Sequence, residues 1–421
     1  MENQKTFNRG LVVLGAILIQ LALGAIYAWS VFTPSLTAEG WTKTETQWVF
    51  ACGLASFALF MVFAGKKLNS WGPQKLTWIG AVILGIGYAL AGAFGGSDFT
   101  ALLILIGVVG GAGIGFAYVV PIAVGIRWFP DKKGMITGLA VAGFGFGALL
   151  WVKLAGSWGH LIANSGLSST FIYYGIAFFI MVFIGGLWMK FPSEGWTPQG
   201  FKTPEATPAA GETEKPADKI EFTSGQMLKT PQFYMIFLTF VFSAGAGLMS
   251  IGLMKLYPME ALMKSGMNEL AASAIAGTAM GVFFSLANGL GRIIWGMLSD
   301  NLGRKLSIII MTATQGVLVI LFTYMAGNEY LLYLGATLIG FNFGGNFALF
   351  PTMTADTFGA KNVGSNYPFV FLAYGVGGIL GPILGGKLGD MSNFALAFFI
   401  SGALVLLGTL LTLMVRPPKK V

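Results

Sequence analysis

The chain has 421 residues, of which 55% are hydrophobic and only 10% are charged, and its formal net charge is +8. Soluble domains carry about 25% charged residues, so this composition excludes an ordinary water-soluble globular protein. The single cysteine, Cys52, and the single histidine, His160, exclude an intrachain disulfide and the usual zinc sites.

Apolar stretches long enough to cross a bilayer recur along the whole chain. A hydrocarbon core about 30 Å thick needs about 20 apolar residues in a helix. The first stretch, residues 11–33, is too long for the apolar region of a cleaved signal peptide, so it is interpreted as a span. Twelve spans are predicted, at residues 11–33, 48–65, 76–94, 101–126, 135–158, 170–191, 233–254, 271–297, 306–326, 330–352, 367–386 and 393–415.

The lysines and arginines are distributed unevenly between the two sides of the predicted spans. The chain has 25 lysines and arginines. If the N-terminus is inside, four of them lie in outer segments: Lys43, Lys255, Lys264 and Lys387. Lys153 and Arg292 lie within spans, which leaves 19 in cytoplasmic segments. The positive-inside rule therefore predicts that both termini are cytoplasmic. The same distribution explains the net positive charge without a nucleic-acid partner.

Residues 192–231 interrupt the apolar pattern with a polar run rich in Pro, Glu, Lys, Thr and Ala. Such a segment cannot bury enough apolar surface to fold alone, so it is predicted to be a flexible cytoplasmic linker. It divides the chain into residues 1–191 and 232–421, with six predicted spans in each half.

An internal repeat supports this division. The sequence GKKLNSWGPQK at 65–75, after the second span, recurs as GMLSDNLGRK at 296–305, after the eighth. Two parallel halves of this kind are typical of transporters that hold their site between the halves at the middle of the membrane.

Arg292 lies in the middle of the eighth predicted span, in the sequence SLANGLGRIIWG. An arginine there costs about 2.5–3.5 kcal/mol, so it should face protein or water and have a partner. No Asp or Glu lies in the central third of a predicted span, and Asp300 is about 12 Å away along the helix axis. The interpretation is that the partner is a substrate carboxylate, which a guanidinium can bind through two hydrogen bonds. The alternative is an arginine that pairs with Asp300 or extends to the cytoplasm.

Asn288 lies one turn before Arg292 on the same helix face. Its amide can donate or accept a hydrogen bond beside the guanidinium. It is predicted to belong to the binding site, against the alternative of ordinary helix packing.

The two halves, the long linker and the motif at 296–305 together resemble the major facilitator superfamily, although Asn69 stands where the family has Asp in the first half. Within it, RWFPDKKG (127–134), SGQMLKTPQFY (224–234) and ALFPTMTADTFG (348–359) resemble the oxalate:formate antiporter family, which is related to proton-coupled monocarboxylate transporters. The resemblance implies an all-α integral membrane protein with about 12 transmembrane helices. It implies a transporter, neither an enzyme nor a cofactor or metal protein, that acts as a monomer in a prokaryotic inner membrane.

The resemblance also implies a set of site residues. In the antiporter family an arginine at the place of Arg292 binds the dicarboxylate, and a lysine stands at the place of Tyr374. Replacement of that second cation by a phenol favours a substrate with one carboxylate. Asn288 stands where animal monocarboxylate transporters have an acid. Further side chains match aromatic positions of the family's site, with packing or interface belts as the alternative: Tyr27, Tyr118, Phe343, Phe347 and Phe371.

Charged residues near the predicted cytoplasmic helix ends are expected to have a conformational role. Asp300 and Arg304 are predicted to tie the halves together in one state of the transport cycle. Asp356 with Lys361 is predicted to form the counterpart after the tenth span.

The leading functional hypothesis is secondary active transport of a small monocarboxylate, such as lactate or pyruvate, coupled to protons. An anion that enters alone works against an inside-negative potential by about 2.3 kcal/mol per 100 mV, and a proton makes the step electroneutral. The nearest alternative is anion exchange of the oxalate and formate type. A membrane sensor or an intramembrane enzyme is a third class, disfavoured because no catalytic residue set is recognisable in the sequence.

Overall fold

The computed structural model describes residues 8–41, 43–156, 158–193, 196–198, 221–254, 256–391 and 393–418. Within these ranges the regular structure is helical, and twelve long helices, α1 to α12, follow one another along the chain. Their bounds are Arg9–Leu23, Lys43–Trp71, Pro73–Leu90, Gly111–Trp128, Lys133–Ala155, Leu161–Gly186, Pro231–Leu253, Ser285–Leu302, Arg304–Met325, Glu329–Phe358, Val363–Asp390 and Phe394–Met414.

Several helices are extended by tighter or wider turns. The extension of α1, Gly24–Val31, is a 3₁₀ helix. Stretches of π-helix continue α3 and precede α4 and α8; they are Ala91–Gly95, Leu103–Gly110 and Ala279–Phe284. The remaining short helices are Thr33–Ala38, Phe99–Leu102, Ser224–Met227, Leu256–Lys264 and Glu269–Thr278.

Eleven helices of the described residues are long and apolar enough to cross a membrane. The tenth predicted span corresponds to α10, a helix of 30 residues that is less apolar because Asn342 and Asn346 lie in its middle. Nearly every residue of α10 between 339 and 355 is buried, so this helix is surrounded by protein and needs no apolar face toward lipid. The all-helical fold predicted from composition is confirmed.

The pattern of helix contacts repeats with a shift of six helices. In the first half, α1 packs on α5, α2 on α4 and α3 on α6. In the second half, α7 packs on α11, α8 on α10 and α9 on α12. The same three pairings therefore organise each half.

The repeated motif makes the same sharp turn in both halves. Gly72 alone separates α2 from α3, with φ 82° and ψ 154°, and Gly303 alone separates α8 from α9, with φ 85° and ψ 152°. This region of backbone conformation is accessible essentially only to glycine. The glycine of each motif is therefore required by the turn.

The two halves meet along two helix pairs, α5 with α8 and α2 with α11, which we call the α5/α8 seam and the α2/α11 seam. Glycines allow the backbones to approach closely at both. A Cβ at Gly134 would collide with the carbonyl oxygen of Gly296, and one at Gly138 with that of Arg292. At the other seam, a Cβ at Gly65 would collide with the carbonyl oxygen of Gly364.

The end of the predicted linker is part of the folded second half, which corrects the prediction of a flexible segment as far as residue 231. The Phe222 N–H donates to the Phe358 carbonyl at 2.9 Å, and the Asn362 and Asn366 amides donate to the Phe222 carbonyl at 3.0 Å each. The α7 helix begins at Pro231, capped by Thr230. The linker centre, 199–220, lies outside the described residues, as does Lys255 of the charge count.

Candidate functional site

Arg292 is fully buried, with 0% of its surface exposed, on the face of α8 that packs against α5. Its Nε donates to Asn288 Oδ1 at 3.1 Å, and its Nη1 donates to the Val141 carbonyl of α5 at 2.9 Å. The ion pairs among the described residues do not include Arg292. Its Nη2 is buried and has no hydrogen-bond partner among those residues. A buried cation with an unused donor is costly, and an anion bound in the site would offset that cost.

The structure contradicts the alternative interpretations of Arg292. An arginine that extends to the cytoplasm would be partly exposed, and Arg292 is not. The hydrogen bonds of Asp300 go to Gly134, Met135 and Arg304. Asn288 lies on the same face as Arg292 and orients the guanidinium, as its spacing predicted.

Tyr27 and Tyr374 join the two halves beside Arg292. Their hydroxyl groups form a hydrogen bond with each other, from the extension of α1 to α11. Tyr374 is buried against Phe347, with ring centroids 5.4 Å apart, and against Phe371, at 5.2 Å. The Phe347 ring in turn lies 4.1 Å from the Arg292 Cζ. The phenol at position 374 therefore lies in the same chamber as the guanidinium.

Aromatic rings from both halves enclose the guanidinium. The Phe347 ring lies 4.1 Å from the Arg292 Cζ, in cation–π geometry. Phe343 packs edge-on against Phe347 at 5.4 Å and supports it from the far side. Phe371 packs against Tyr118 at 5.3 Å. The five aromatic positions taken from the resemblance thus form one connected cluster around Arg292.

The sequence interpretation missed two residues of this cluster. Phe144 of α5 lies 5.9 Å from the Arg292 Cζ and packs edge-on against Tyr27 at 5.1 Å and Tyr118 at 5.4 Å. Tyr367 of α11 is fully buried and packs against Phe371 at 5.7 Å. Tyr367 lies seven residues before Tyr374 and hence on the same helix face, which is the one signal that the sequence offered.

Asp300 connects the halves at one end of the α5/α8 seam. Its two carboxylate oxygens accept hydrogen bonds from the N–H groups of Gly134 and Met135, both at 2.8 Å. These are among the first N–H groups of α5, where a negative charge is favoured by the helix dipole. Arg304 donates to the same carboxylate at 2.6 Å.

Asp356 belongs to the same network, and its predicted pairing with Lys361 is wrong. Asp356 accepts from Lys133 of the first half at 2.6 Å and from Arg304 at 3.0 Å. The chain turns at Gly359, with φ 99°, so Lys361 leads away from Asp356 although it is close in sequence. We call Asp300, Arg304, Asp356 and Lys133 the ionic latch.

The equivalent end of the α2/α11 seam is built differently. Arg127 of the first half donates to the Lys361 carbonyl and, at 2.9 Å, to Asn69 Oδ1. The Lys361 N–H donates to Glu221 Oε1 at 3.1 Å. Glu221, from the end of the linker, also interacts electrostatically with Arg127. The neutral Asn69 thus stands at this seam where Asp300 stands at the other.

The chain is similar to a known protein family and to several transporters. A family model described as Major Facilitator Superfamily matches residues 12–284 and 256–421. An uncharacterised transporter of this type from Escherichia coli (strain K12) is 28% identical, over 88% of this chain and 86% of the relative. The oxalate:formate antiporter of Oxalobacter formigenes is 26% identical, over 97% of this chain and 93% of the antiporter.

Two further comparisons extend the range of relatives. Apicoplast pyruvate carrier 1 of Toxoplasma gondii is 22% identical, over 88% of this chain and 82% of the carrier. Among solved structures, a major facilitator transporter in the outward conformation superposes with a TM-score of 0.67, at 15% identity, over 97% of this chain and 99% of that chain. An identity this low shows the fold alone.

Proposed function

The chain belongs to the Major Facilitator Superfamily, and from that premise we propose that it carries small monocarboxylates of the lactate or pyruvate type by alternating access between its two halves. The observation that carries the proposal is Arg292, a buried cation between the halves whose Nη2 has no hydrogen-bond partner within the described part of the chain. One carboxylate would neutralise it. A dicarboxylate would leave a second, uncompensated negative charge among aromatic rings, which is strongly unfavourable.

The related proteins support this class of substrate. One is an oxalate:formate antiporter and another is a pyruvate carrier, and both match most of the chain. We propose Arg292, Asn288, Tyr374, Tyr27, Tyr118, Phe347, Phe343 and Phe371 as the substrate-binding residues.

We propose that transport is coupled to protons, because symport with a proton makes the uptake of an anion electroneutral. The side chains described above around Arg292 include no Asp or Glu. A coupled proton would therefore be carried by the substrate itself or by a cluster of tyrosine hydroxyls and water.

The protein is a multi-pass membrane protein, and we propose that both termini face the cytoplasm of a prokaryotic cell. Arg9, at the start of α1, pairs with Asp131 at 3.5 Å, beside the ionic latch. Lys305, beside Arg304, donates to the Leu413 and Val415 carbonyls at the end of α12, both at 2.8 Å. Both ends of the described chain thus lie at one basic end of the molecule, which is the cytoplasmic end by the positive-inside rule.

Uptake of radiolabelled L-lactate into proteoliposomes tests the proposal. Uptake that rises with an inward proton gradient is expected for monocarboxylate symport. Uptake that occurs only when oxalate or formate is loaded inside would instead establish anion exchange. No uptake of any monocarboxylate under either condition would refute the proposal.

The exchange alternative is favoured by the similarity to the oxalate:formate antiporter and opposed by Tyr374. Tyr374→Lys would place a second cation beside Arg292, at a buried position next to Tyr27. We expect this variant to bind oxalate about tenfold more tightly than the wild type and to lose lactate uptake, since tenfold corresponds to about 1.4 kcal/mol. Binding is measured by displacement of radiolabelled oxalate from purified protein.

Tyr374→Phe is the matched control, because it removes the hydroxyl without adding a charge, and it should gain no oxalate affinity. A Tyr374→Lys protein that folds but binds oxalate no better than the wild type would contradict the role assigned to Tyr374.

A further inference from the structure

Two tyrosine hydroxyls are buried without a hydrogen-bond partner among the described residues. They belong to Tyr118 of α4, which is 1% exposed, and Tyr367 of α11, which is 0% exposed. Buried tyrosine hydroxyls usually have a partner, and an unsatisfied one costs about 1–3 kcal/mol. The buried Tyr174 follows the usual rule, because its hydroxyl donates to the Trp151 carbonyl. Two exceptions close together in one site therefore point to a ligand.

The two hydroxyls belong to the same chamber as the guanidinium. The Tyr118 and Tyr367 rings pack against Phe371 from opposite halves, with centroids 5.3 and 5.7 Å away. Tyr118 also packs edge-on against Phe144, whose ring lies 5.9 Å from the Arg292 Cζ, and Phe371 packs against Tyr374 at 5.2 Å. Arg292 Nη2 is a third buried polar atom without a partner among the described residues. One cationic and two neutral groups thus remain available to a ligand.

The pair lies on the latch side of the site. Tyr367 precedes Tyr374 by seven residues on α11, about 10 Å along the helix axis. Because α11 begins at Val363, near the seam end that Arg127 contacts, Tyr367 lies nearer than Tyr374 to the ionic end of the molecule. Tyr367 and Tyr374 therefore lie at different depths of the chamber.

We propose that Tyr118 and Tyr367 form a neutral subsite for the oxygen on carbon 2 of the substrate, while Arg292 holds its carboxylate. This inference rests on the proposed function and assigns the residues that recognise the 2-hydroxy or 2-oxo group of such acids. A phenol can donate to a keto oxygen and can both donate to and accept from a hydroxyl. A neutral pair suits a neutral oxygen, whereas a second carboxylate would require a cation.

The inference makes Tyr367 a specificity-determining residue. A site that hydrogen-bonds a substrate oxygen rejects the analogue that lacks it, because the groups of the site are then left unpaired. We expect the wild type to prefer L-lactate over propionate, which has the same carbon chain without the hydroxyl. The expected preference in uptake kcat/KM is about tenfold or more.

The test compares L-lactate with propionate in proteoliposomes that contain wild type, Tyr367→Phe or Tyr118→Phe. Each variant keeps the ring that packs on Phe371 and removes only the hydroxyl. We expect either change to reduce the lactate preference to about threefold or less, through slower lactate uptake with propionate uptake maintained. Tyr174→Phe is the matched control, because it removes a buried hydroxyl that is bonded to Trp151 in the first half, and it should keep the preference.

The outcomes separate this inference from the proposed function. Uptake of lactate and propionate with equal efficiency by the wild type overturns the subsite and leaves monocarboxylate transport standing. A preference for L-lactate over propionate that is unchanged in Tyr367→Phe and Tyr118→Phe also overturns the subsite and leaves monocarboxylate transport standing. A wild type that carries neither acid overturns the proposed function and, with it, the subsite. The wild-type comparison is decisive even where a variant fails to fold.

Discussion

Arg292→Gln is expected to lower L-lactate uptake into proteoliposomes by about two orders of magnitude. The change leaves a neutral amide where the guanidinium contacts Asn288, the Val141 carbonyl and the Phe347 ring. Removal of one partner of a buried, hydrogen-bonded charge pair costs about 2–5 kcal/mol, and about 2.7 kcal/mol corresponds to a hundredfold change. The measurement is the initial rate of uptake at substrate concentrations far below KM.

The stability of the same variant distinguishes a substrate ligand from a structural arginine. Because Arg292 Nη2 has no partner among the described residues, the substrate-free protein gains little from this charge. We therefore expect the melting temperature of Arg292→Gln to equal or exceed that of the wild type. L-lactate should stabilise the wild type against heat and should not stabilise the variant.

Two further variants serve as controls. Arg292→Lys keeps the charge but cannot reproduce the two directed hydrogen bonds, so it should be strongly impaired as well. Arg416→Gln removes an exposed arginine after α12 and should transport normally. Near-normal uptake by Arg292→Gln would show that the substrate carboxylate binds elsewhere in the protein.

Asp300→Asn is expected to open the latch end of the α5/α8 seam. The wild-type carboxylate accepts from the first N–H groups of α5 and from Arg304, whereas an amide has one acceptor oxygen and no charge. Hydrogen bonds to charged groups contribute about 1.5–3 kcal/mol, so the closed arrangement should lose about tenfold or more in population. We expect uptake to fall accordingly.

Cysteine labelling measures this opening directly. Thr137 is buried in α5 near the seam, so a cysteine there, in a Cys52→Ser background, reports access from the latch end. Its labelling by a membrane-impermeant maleimide should accelerate about tenfold in Asp300→Asn. Asp131→Asn is the matched control, because Asp131 pairs with Arg9 within the first half and joins no seam. Equal labelling of the two variants would show that Asp300 does not hold the seam closed.

Polar residues inside apolar helices were the part of the site that the sequence could predict. Arg292 and Asn288 stand out because lipid makes every polar side chain costly unless it faces protein, whereas Tyr374 was selected by the resemblance to the antiporter family. Tyr367 and Phe144 could not be selected in the same way, since the chain has 36 phenylalanines and 12 tyrosines and most of them pack or face lipid. Their place follows from how α5 meets α8, and α11 meets α2 and α4, across the halves, which no local pattern specifies.

The positions of the helices could be predicted from the sequence, whereas the contacts at the helix ends could not. Hydropathy located the helices to within several residues. The eighth predicted span, 271–297, stops five residues before the helix does, since α8 continues through Asp300 to Leu302. The predicted pairing of Asp356 with Lys361 is wrong because the chain turns at Gly359, which lies between the two residues. The folded linker end was missed because its partners, Phe358, Asn362 and Asn366, lie far away in the chain.

The attachment of Glu221 to the α2/α11 seam bears on how a duplicated chain can diverge. Duplication of one half yields two copies of every helix and of the turn at Gly72 and Gly303, but only one connecting segment. That segment supplies an acid to the seam that contains Asn69 and Arg127, while the other seam takes its acid from its own helix. A neutral residue at position 69 therefore leaves the α2/α11 seam with an acid, so the two copies of the motif need not carry the same charge.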